Sequence, residues 1–178
     1  RNNYKRRVSG DSKLMKAVIG IGTNIGDRAL NIRNAVEALD LLPDVKVLRC
    51  ASIYETDPWG YTEQQSFYNT VVEIETSKSP EMLLGACLGI EAGMGRVREF
   101  KNGPRVIDLD LLVVENYKNS SHHITVPHSL IGERDFVLVP LKELYADMNV
   151  LGFIYINQYE KVIKKSTAKK VEKIEIRY

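Results

Sequence analysis

Two periods of apolar residues alternate along this chain and divide it into elements. Residues 16–22 form a short apolar run ending in glycines, which predicts a buried strand. From Leu30 the period lengthens. Leu30, Ala35, Val36, Leu39 and Leu42 lie close to one helical stripe, with Asp27 placed to cap it and Pro43 to stop it. Residues 45–54 predict a second strand, residues 56–66 a polar loop, and residues 67–75 an alternating third strand antiparallel to the second. Ser79-Pro80-Glu81 is a strong helix start, with a serine cap, a proline in the first turn and an acid at the dipole's positive end. Leu83, Leu84, Cys87, Leu88 and Ile90 follow at helical spacing until Gly93 and Gly95. A charged loop at 96–104 leads to a fourth strand, then a hairpin or loop at 115–125 and a helix near 139–145. The order β-α-β-β-α-β predicts an α+β protein of ferredoxin-like arrangement, an antiparallel sheet with helices packed on it.

The fourth strand breaks its own pattern. In the run Gly103-Pro104-Arg105-Val106-Ile107-Asp108-Leu109-Asp110-Leu111-Leu112, two acids sit two apart among apolar residues. Side chains at i and i+2 share a face, so Asp108 and Asp110 face one way and Ile107, Leu109 and Leu111 the other. Adjacent carboxylates repel unless a cation lies between them. Mg²⁺ is held by one or two carboxylates while substrate phosphates complete its shell. Arg96, Arg98, Arg105 and Arg134 supply planar donors for phosphate oxygens. The bland reading, two solvated acids on a half-exposed strand, fits poorly with the depletion of Asp in strands. The stretch is expected to be a metal–phosphate site.

Composition narrows the classes. A net charge of +2 over 178 residues argues against a dedicated nucleic-acid binder. Basic residues gather at the ends, Lys5-Arg6-Arg7 and Lys161, Lys164, Lys165, Lys169, Lys170 and Lys173, and are expected to be solvated tails. No apolar run approaches the ~18 residues of a membrane span. Cys50 and Cys87 lack metal-type spacing and read as buried reduced thiols, which suits a cytoplasmic protein. Residues 1–14, polar and basic before Met15, are expected to be a tag remnant or a linker from a preceding domain. Residues 15–146 form the catalytic domain on this reading, and 147–178 an extension.

Other motifs carry less. The glycines of Gly20-Ile21-Gly22-Thr23-Asn24-Ile25-Gly26 are spaced one residue too long for a dinucleotide fingerprint. Tight-turn geometry, with glycine for positive φ, is the better account. Glu91 with Arg96 reads alone as a surface charge pair, and His128 after Val126-Pro127 as a structural histidine unless a phosphate lies near. Trp59, Phe67 and Phe136 are core aromatics by default, although such rings also grip flat heteroaromatic substrates.

Taken in order, Gly22-Thr23-Asn24-Ile25-Gly26-Asp27, Tyr54-Glu55-Thr56, Phe67-Tyr68-Asn69, Gly95-Arg96-Val97-Arg98, Gly103-Pro104-Arg105 with Asp108-Leu109-Asp110, and Val126-Pro127-His128 resemble the 6-hydroxymethyl-7,8-dihydropterin pyrophosphokinases of folate biosynthesis over roughly residues 15–145. The resemblance implies transfer of pyrophosphate from ATP to the pterin hydroxymethyl group, releasing AMP. It implies two Mg²⁺ on Asp108 and Asp110. Arg96 and Arg105 would meet the phosphates, and Arg98 would lie on a mobile loop. Leu111, Thr125 and His128 would help hold ATP, and Glu91 and Arg134 match site positions as well. The pterin would lie between Phe67 and Phe136, its polar edge read by Asn69 and by the backbone at Thr56, Pro58 and Trp59. Asp57 and Asn102 replace a proline and a tryptophan common in the family, and Ser129 stands where an aromatic occurs. Fusion to dihydroneopterin aldolase or another folate enzyme is a further implication. Two other readings remain at this point: a palm-type two-metal nucleotidyltransferase, whose product would be pyrophosphate, and a ferredoxin-like RNA-binding module. The latter needs exposed aromatics on its central strands, which the Asp108 strand lacks.

Overall fold

The computed structural model describes residues 13–97 and 99–176. Its main sheet has six strands, ordered β10-β3-β4-β1-β5, with β2 sharing the edge of β4 beside β3. In chain order these are β1 (Met15–Thr23), β2 (Val45–Cys50), β3 (Ile53–Thr56), β4 (Phe67–Thr76), β5 (Asp108–Val114) and β10 (Lys169–Glu172). Every pairing among them is antiparallel. The expected single strand at 45–54 is therefore two. Ala51 and Ser52 interrupt it, so β2 pairs the far half of β4 (Val72 to Thr76) and β3 the near half (Phe67 to Asn69). Short pairs β6 (Asn119–Ser120) with β7 (Thr125–Val126), and β8 (Asn149–Val150) with β9 (Ile154–Tyr155), complete the strands.

Strand alternation sorts the side chains into two cores. On one face Ala17, Ile19 and Ile21 of β1, Ile74 of β4 and Leu109 and Leu111 of β5 meet two helices, α1 (Arg28–Asp40) and α2 (Pro80–Gly93). Asp27 caps α1 by accepting from the Leu30 N–H at 3.0 Å, and Ser79 caps α2 through the Met82 N–H at 3.2 Å. The buried stripe of α1 is Ile32, Ala35, Val36 and Leu39, whereas Leu30 faces solvent. On α2, Leu83, Cys87 and Glu91 are buried and Leu88 is exposed.

The opposite face carries Val18, Val71 and Leu112 under α3 (Asp135–Tyr145), whose Val137, Leu138, Leu141 and Tyr145 close the second core. This helix begins four residues before the expected 139, with Asp135 Oδ1 accepting from the Phe136 N–H at 2.9 Å. Burial of that apolar face outweighs Pro140 inside the helix, which removes one backbone donor.

The C-terminal lysines depart furthest from expectation. Lys169 and Lys170, expected in a solvated tail, belong to β10 and pair with Glu55 and Tyr54 of β3. Before them Val150, Ile154 and Ile156 enter the α3 core, and α4 (Glu160–Lys164) is tied to α3 by Lys142 Nζ to Glu160 Oε2 at 2.9 Å. Among the described residues no helix is long and apolar enough to cross a membrane.

Candidate active site

The glycines of β1 make room for a cavity on the α3 face. Side chains 18, 20 and 22 of β1 point to that face, and two of the three are absent. Gly20 and Gly22 lie in the strand with no positive φ, so the turn expected there exists only at Gly26 (φ 72°). A Cβ on Gly22 would stand 2.7 Å from Asn69 Oδ1. Hence the strand must be bare there for Asn69, its cross-strand partner, to lie over it.

Above this floor is a cavity of about 290 Å³. The strand period brings Asp108 and Asp110 of β5 and Asn69 of β4 to it. The loop after β3 contributes Trp59, and the start of α3 contributes Phe136. Thr56, Phe67, Arg96, Arg105, His128 and Arg134 complete the expected residues lining it. Asn69 is fixed by donating from Nδ2 to Thr56 Oγ1 at 2.7 Å. Asn24 ties two rims together: its Nδ2 donates to Gln64 Oε1 and Gln65 O, and its Oδ1 accepts from the Arg105 N–H at 2.9 Å.

Electrostatics dominate one end. Arg96 places one guanidinium nitrogen 2.6 Å from Glu91 Oε1 and 2.5 Å from Asp108 Oδ1. Arg105 Nε stands 3.7 Å from Asp108 Oδ2, beyond hydrogen-bond range, and Arg134 Nη1 lies 3.2 Å from Asp110 Oδ2. Glu91, which alone reads as a surface charge, is buried beneath the pair and accepts from the Leu109 N–H at 2.8 Å. Burial, reinforced by Asp108, pushes the Asp110 carboxyl up to about 6 against the pull of Arg134 and its neighbours. Burial also raises Glu91, with the Asp108 charge adding to it. Burial, with help from Arg134, lowers His128. Its Nδ1 accepts from the Leu130 N–H at 3.2 Å, so the neutral ring presents Nε2–H as its donor.

The Nε atoms of Arg96, Arg105 and Arg134 are buried without a hydrogen-bond partner. Buried donors are normally satisfied, and three orphans around one cavity suit an anion with several oxygens. Two same-face carboxylates, one raised by burial and by its neighbour, suit a divalent cation whose remaining ligands come from that anion. No group of three or more His, Cys, Asp or Glu among the described residues forms an all-protein metal cage. The other end is aromatic: the Arg105 guanidinium sits 5.0 Å from the Phe67 ring, and that of Arg134 lies 5.3 Å from Trp59 and 5.6 Å from Phe136.

Four expected residues do not line the cavity. Glu91 supports it from below, Leu111 is buried in the opposite core, and Pro58 flanks the lining residues Asp57 and Trp59. Thr125 is exposed on β7, its hydroxyl donating to Ser121 O at 3.3 Å. Arg98 lies outside the described residues. Phe100, Lys101 and Asn102 join the lining unexpectedly, on the charged loop before Gly103. Gln64 Nε2 holds Asn102 O at 2.8 Å, and Asn102 packs so close to Gly60 that a Cβ there would meet its Nδ2 at 2.7 Å.

The family described as 7,8-dihydro-6-hydroxymethylpterin-pyrophosphokinase (HPPK) matches residues 18–146. The chain is 45% identical over 139 residues to a 2-amino-4-hydroxy-6-hydroxymethyldihydropteridine pyrophosphokinase of Methylorubrum extorquens, covering 78% of this chain and 88% of that one. A protein of the same name from Bacillus subtilis is 45% identical over 128 residues, covering 72% and 77%. A folic acid synthesis protein of Schizosaccharomyces pombe is 42% identical over 132 residues, but this chain spans only 18% of its length. Crystal structures of Plasmodium falciparum HPPK-DHPS share the fold, with a TM-score of 0.66 at 16% identity over 88% of this chain and 47% of that one.

Proposed function

We propose, for a chain that belongs to the HPPK family, that it transfers pyrophosphate from MgATP to the hydroxymethyl group of 6-hydroxymethyl-7,8-dihydropterin in folate biosynthesis. The observation that carries this reading is the pairing of three unsatisfied arginine Nε atoms with two same-face carboxylates at the head of an aromatic slot. The sheet order of β5, β1, β4 and the broken β2–β3 edge supports the ferredoxin-like frame. Free thiols at Cys50 and Cys87, both pushed up to about 12 by burial, support a cytoplasmic enzyme.

Phosphoryl-type transfer depends on alignment and charge neutralisation rather than on covalent chemistry by the protein. Arg96 and Arg105 grip the phosphates, and Arg96 gives up its hold on Asp108 as it does so. Asp108 and Asp110 would hold two Mg²⁺, which would supply charge neutralisation and polarisation of the phosphoryl group. His128 donates from Nε2 to a phosphoryl oxygen, and Arg134, between Asp110 and the aromatic rings, shields the developing charge. Phe67 and Phe136 stack the pterin while Asn69 and the backbone around Thr56 read its edge. The substrate hydroxyl oxygen bonds to the β-phosphorus of ATP, the bond from that phosphorus to the α,β-bridging oxygen breaks, AMP leaves with the electron pair, and the hydroxyl proton is released. In other family members the domain is one part of a longer folate enzyme, and such a fusion partner is a candidate for this chain too.

With the pterin and MgATP, chromatography is expected to show AMP and a pterin diphosphate in a one-to-one ratio, and nearly intact ATP without the pterin. ADP or free pyrophosphate as the main product would overturn the reading.

A further inference from the structure

The segment between α4 and β10 touches both walls of the slot with consecutive residues. Ser166 donates from Oγ to Asp135 Oδ2 at 2.5 Å, and Thr167 donates from Oγ1 to Asp57 Oδ2 at 3.0 Å. Asp135 opens α3 between Arg134 and Phe136. Asp57 lies between Thr56, which holds Asn69, and the loop bearing Trp59. The Ser166 hydroxyl also accepts from the Ala168 N–H at 3.1 Å, so it is held on both sides. Two lining elements, far apart in sequence, are thereby spaced by one peptide unit of a third.

The segment is anchored apart from these hydroxyls. β10 continues the ladder on β3, Arg33 pairs Glu172 at 2.7 Å, and Lys170 Nζ lies 3.6 Å from Glu143 on α3. Glu143 itself accepts from the Ser52 N–H and hydroxyl and from Tyr54 OH, and so joins α3 to β3 away from the cavity. Neither hydroxyl is required to keep the segment in place. Their effect is local, on the loop at 57–59 and on the first turn of α3.

We propose that Ser166 and Thr167 are positioning residues that set the width of the flat-substrate end of the cavity, acting through Asp135 and Asp57 and leaving the phosphate end alone. The assignment of the occupant as a pterin rests on the function proposed above; the mechanical link does not. Freed of Thr167, Asp57 and the adjoining Trp59 gain conformational freedom that the ligand must then remove on binding, which weakens affinity without altering the reacting groups.

The chain has one tryptophan, Trp59, so its fluorescence reports on this loop alone. In the full-length chain, Thr167→Val and the double variant Ser166→Ala/Thr167→Val are compared with Thr167→Ser. Acrylamide quenching of Trp59 is expected to rise in the valine variants and return to the parent value in Thr167→Ser, with thermal midpoints unchanged. The KM for 6-hydroxymethyl-7,8-dihydropterin is expected to rise about threefold to tenfold for Thr167→Val, the size of one net hydrogen bond, with kcat and the KM for MgATP within twofold. Unchanged quenching, or equal rises in both KM values, overturns the proposal. Raised quenching in a protein whose parent form makes no AMP from the pterin retains the link and overturns the proposed function instead.

Discussion

Two ends of one sheet face carry arginines on carboxylates, and they end in opposite states. Asn69, Val71 and Glu73 follow one another on the same side of β4, yet Asn69 borders the cavity and Glu73 lies beneath the end of α3. At the Glu73 end every group is used: Arg49 donates from Nε and Nη2 to the carboxylate at 3.2 and 3.0 Å and from Nη1 to Leu144 O at 2.7 Å, while the Tyr145 hydroxyl donates to Glu73 as well. At the other end three arginines leave Nε unsatisfied around Asp108 and Asp110. Saturation marks a cluster that holds α3 on the sheet. Residual donors mark one built for a ligand, since an unpaired buried donor costs about 1–3 kcal/mol unless something arrives to accept from it.

The largest expected effect lies at the unsaturated end. Asp108→Asn and Asp110→Asn should each lower kcat/KM by at least about a hundredfold, because each deletes a cation ligand. The fold should not suffer. Asp110, raised to about 6, holds its proton more tightly folded than unfolded, so its charged form opposes folding above that pH. Asp110→Asn should thus raise the thermal midpoint at pH 8, by a modest amount because solvent reaches a third of the side chain. Near-normal turnover at saturating Mg²⁺ in either variant would break the comparison.

Glu73→Gln should show the reverse. Stability is expected to fall by ~1–2 kcal/mol in denaturant titrations, with the lower end favoured because Arg49 is half-exposed. Activity per folded molecule should stay within twofold. A loss of activity without a loss of stability would mean that the two ends are coupled through β4.

The contrast also explains what could be read from sequence. Asp108 and Asp110 were legible because strand period and composition disagree there, a local signal. Gly20 and Gly22 read as turn glycines because their reasons lie far off in the chain: Asn69 comes over Gly22 from 47 residues away and Leu112 packs on Gly20, on strands whose register only the fold sets. β10 reads as a solvated tail because an edge strand with one exposed side tolerates lysines, which also protect edges from further pairing. Leu30 fits the helical period of α1 yet faces solvent, since a helical period allows neighbouring rotations and the packing partner selects one. At the α3 start, Arg134 and Phe136 stand out in the sequence by residue type alone, and their place at the slot does not, because nothing periodic marks the first turn of a helix that continues through Pro140.

The finest test of the saturated cluster is its response to acid. Burial pushes the Glu73 carboxyl up, but the hydrogen bonds from Arg49 and Tyr145 outweigh it and hold the group below the ordinary carboxylate range. A carboxyl lowered in the folded state contributes stability that is present above its unfolded value, about 4.3, and is lost as pH falls through its folded value. Tyr145→Phe removes one of the two donors while keeping the ring that Arg49 covers at 4.7 Å. It should cost ~1 kcal/mol at pH 7, the scale of one hydrogen bond to a charged acceptor after compensation by water. The difference between parent and variant should shrink as pH falls below the unfolded value and through the folded one, because the charge that the hydroxyl stabilises is then lost. A loss that stays constant from pH 7 down to the onset of acid unfolding in urea melts would assign the role of Tyr145 to packing. The saturated cluster would then be an apolar anchor that happens to contain a carboxylate.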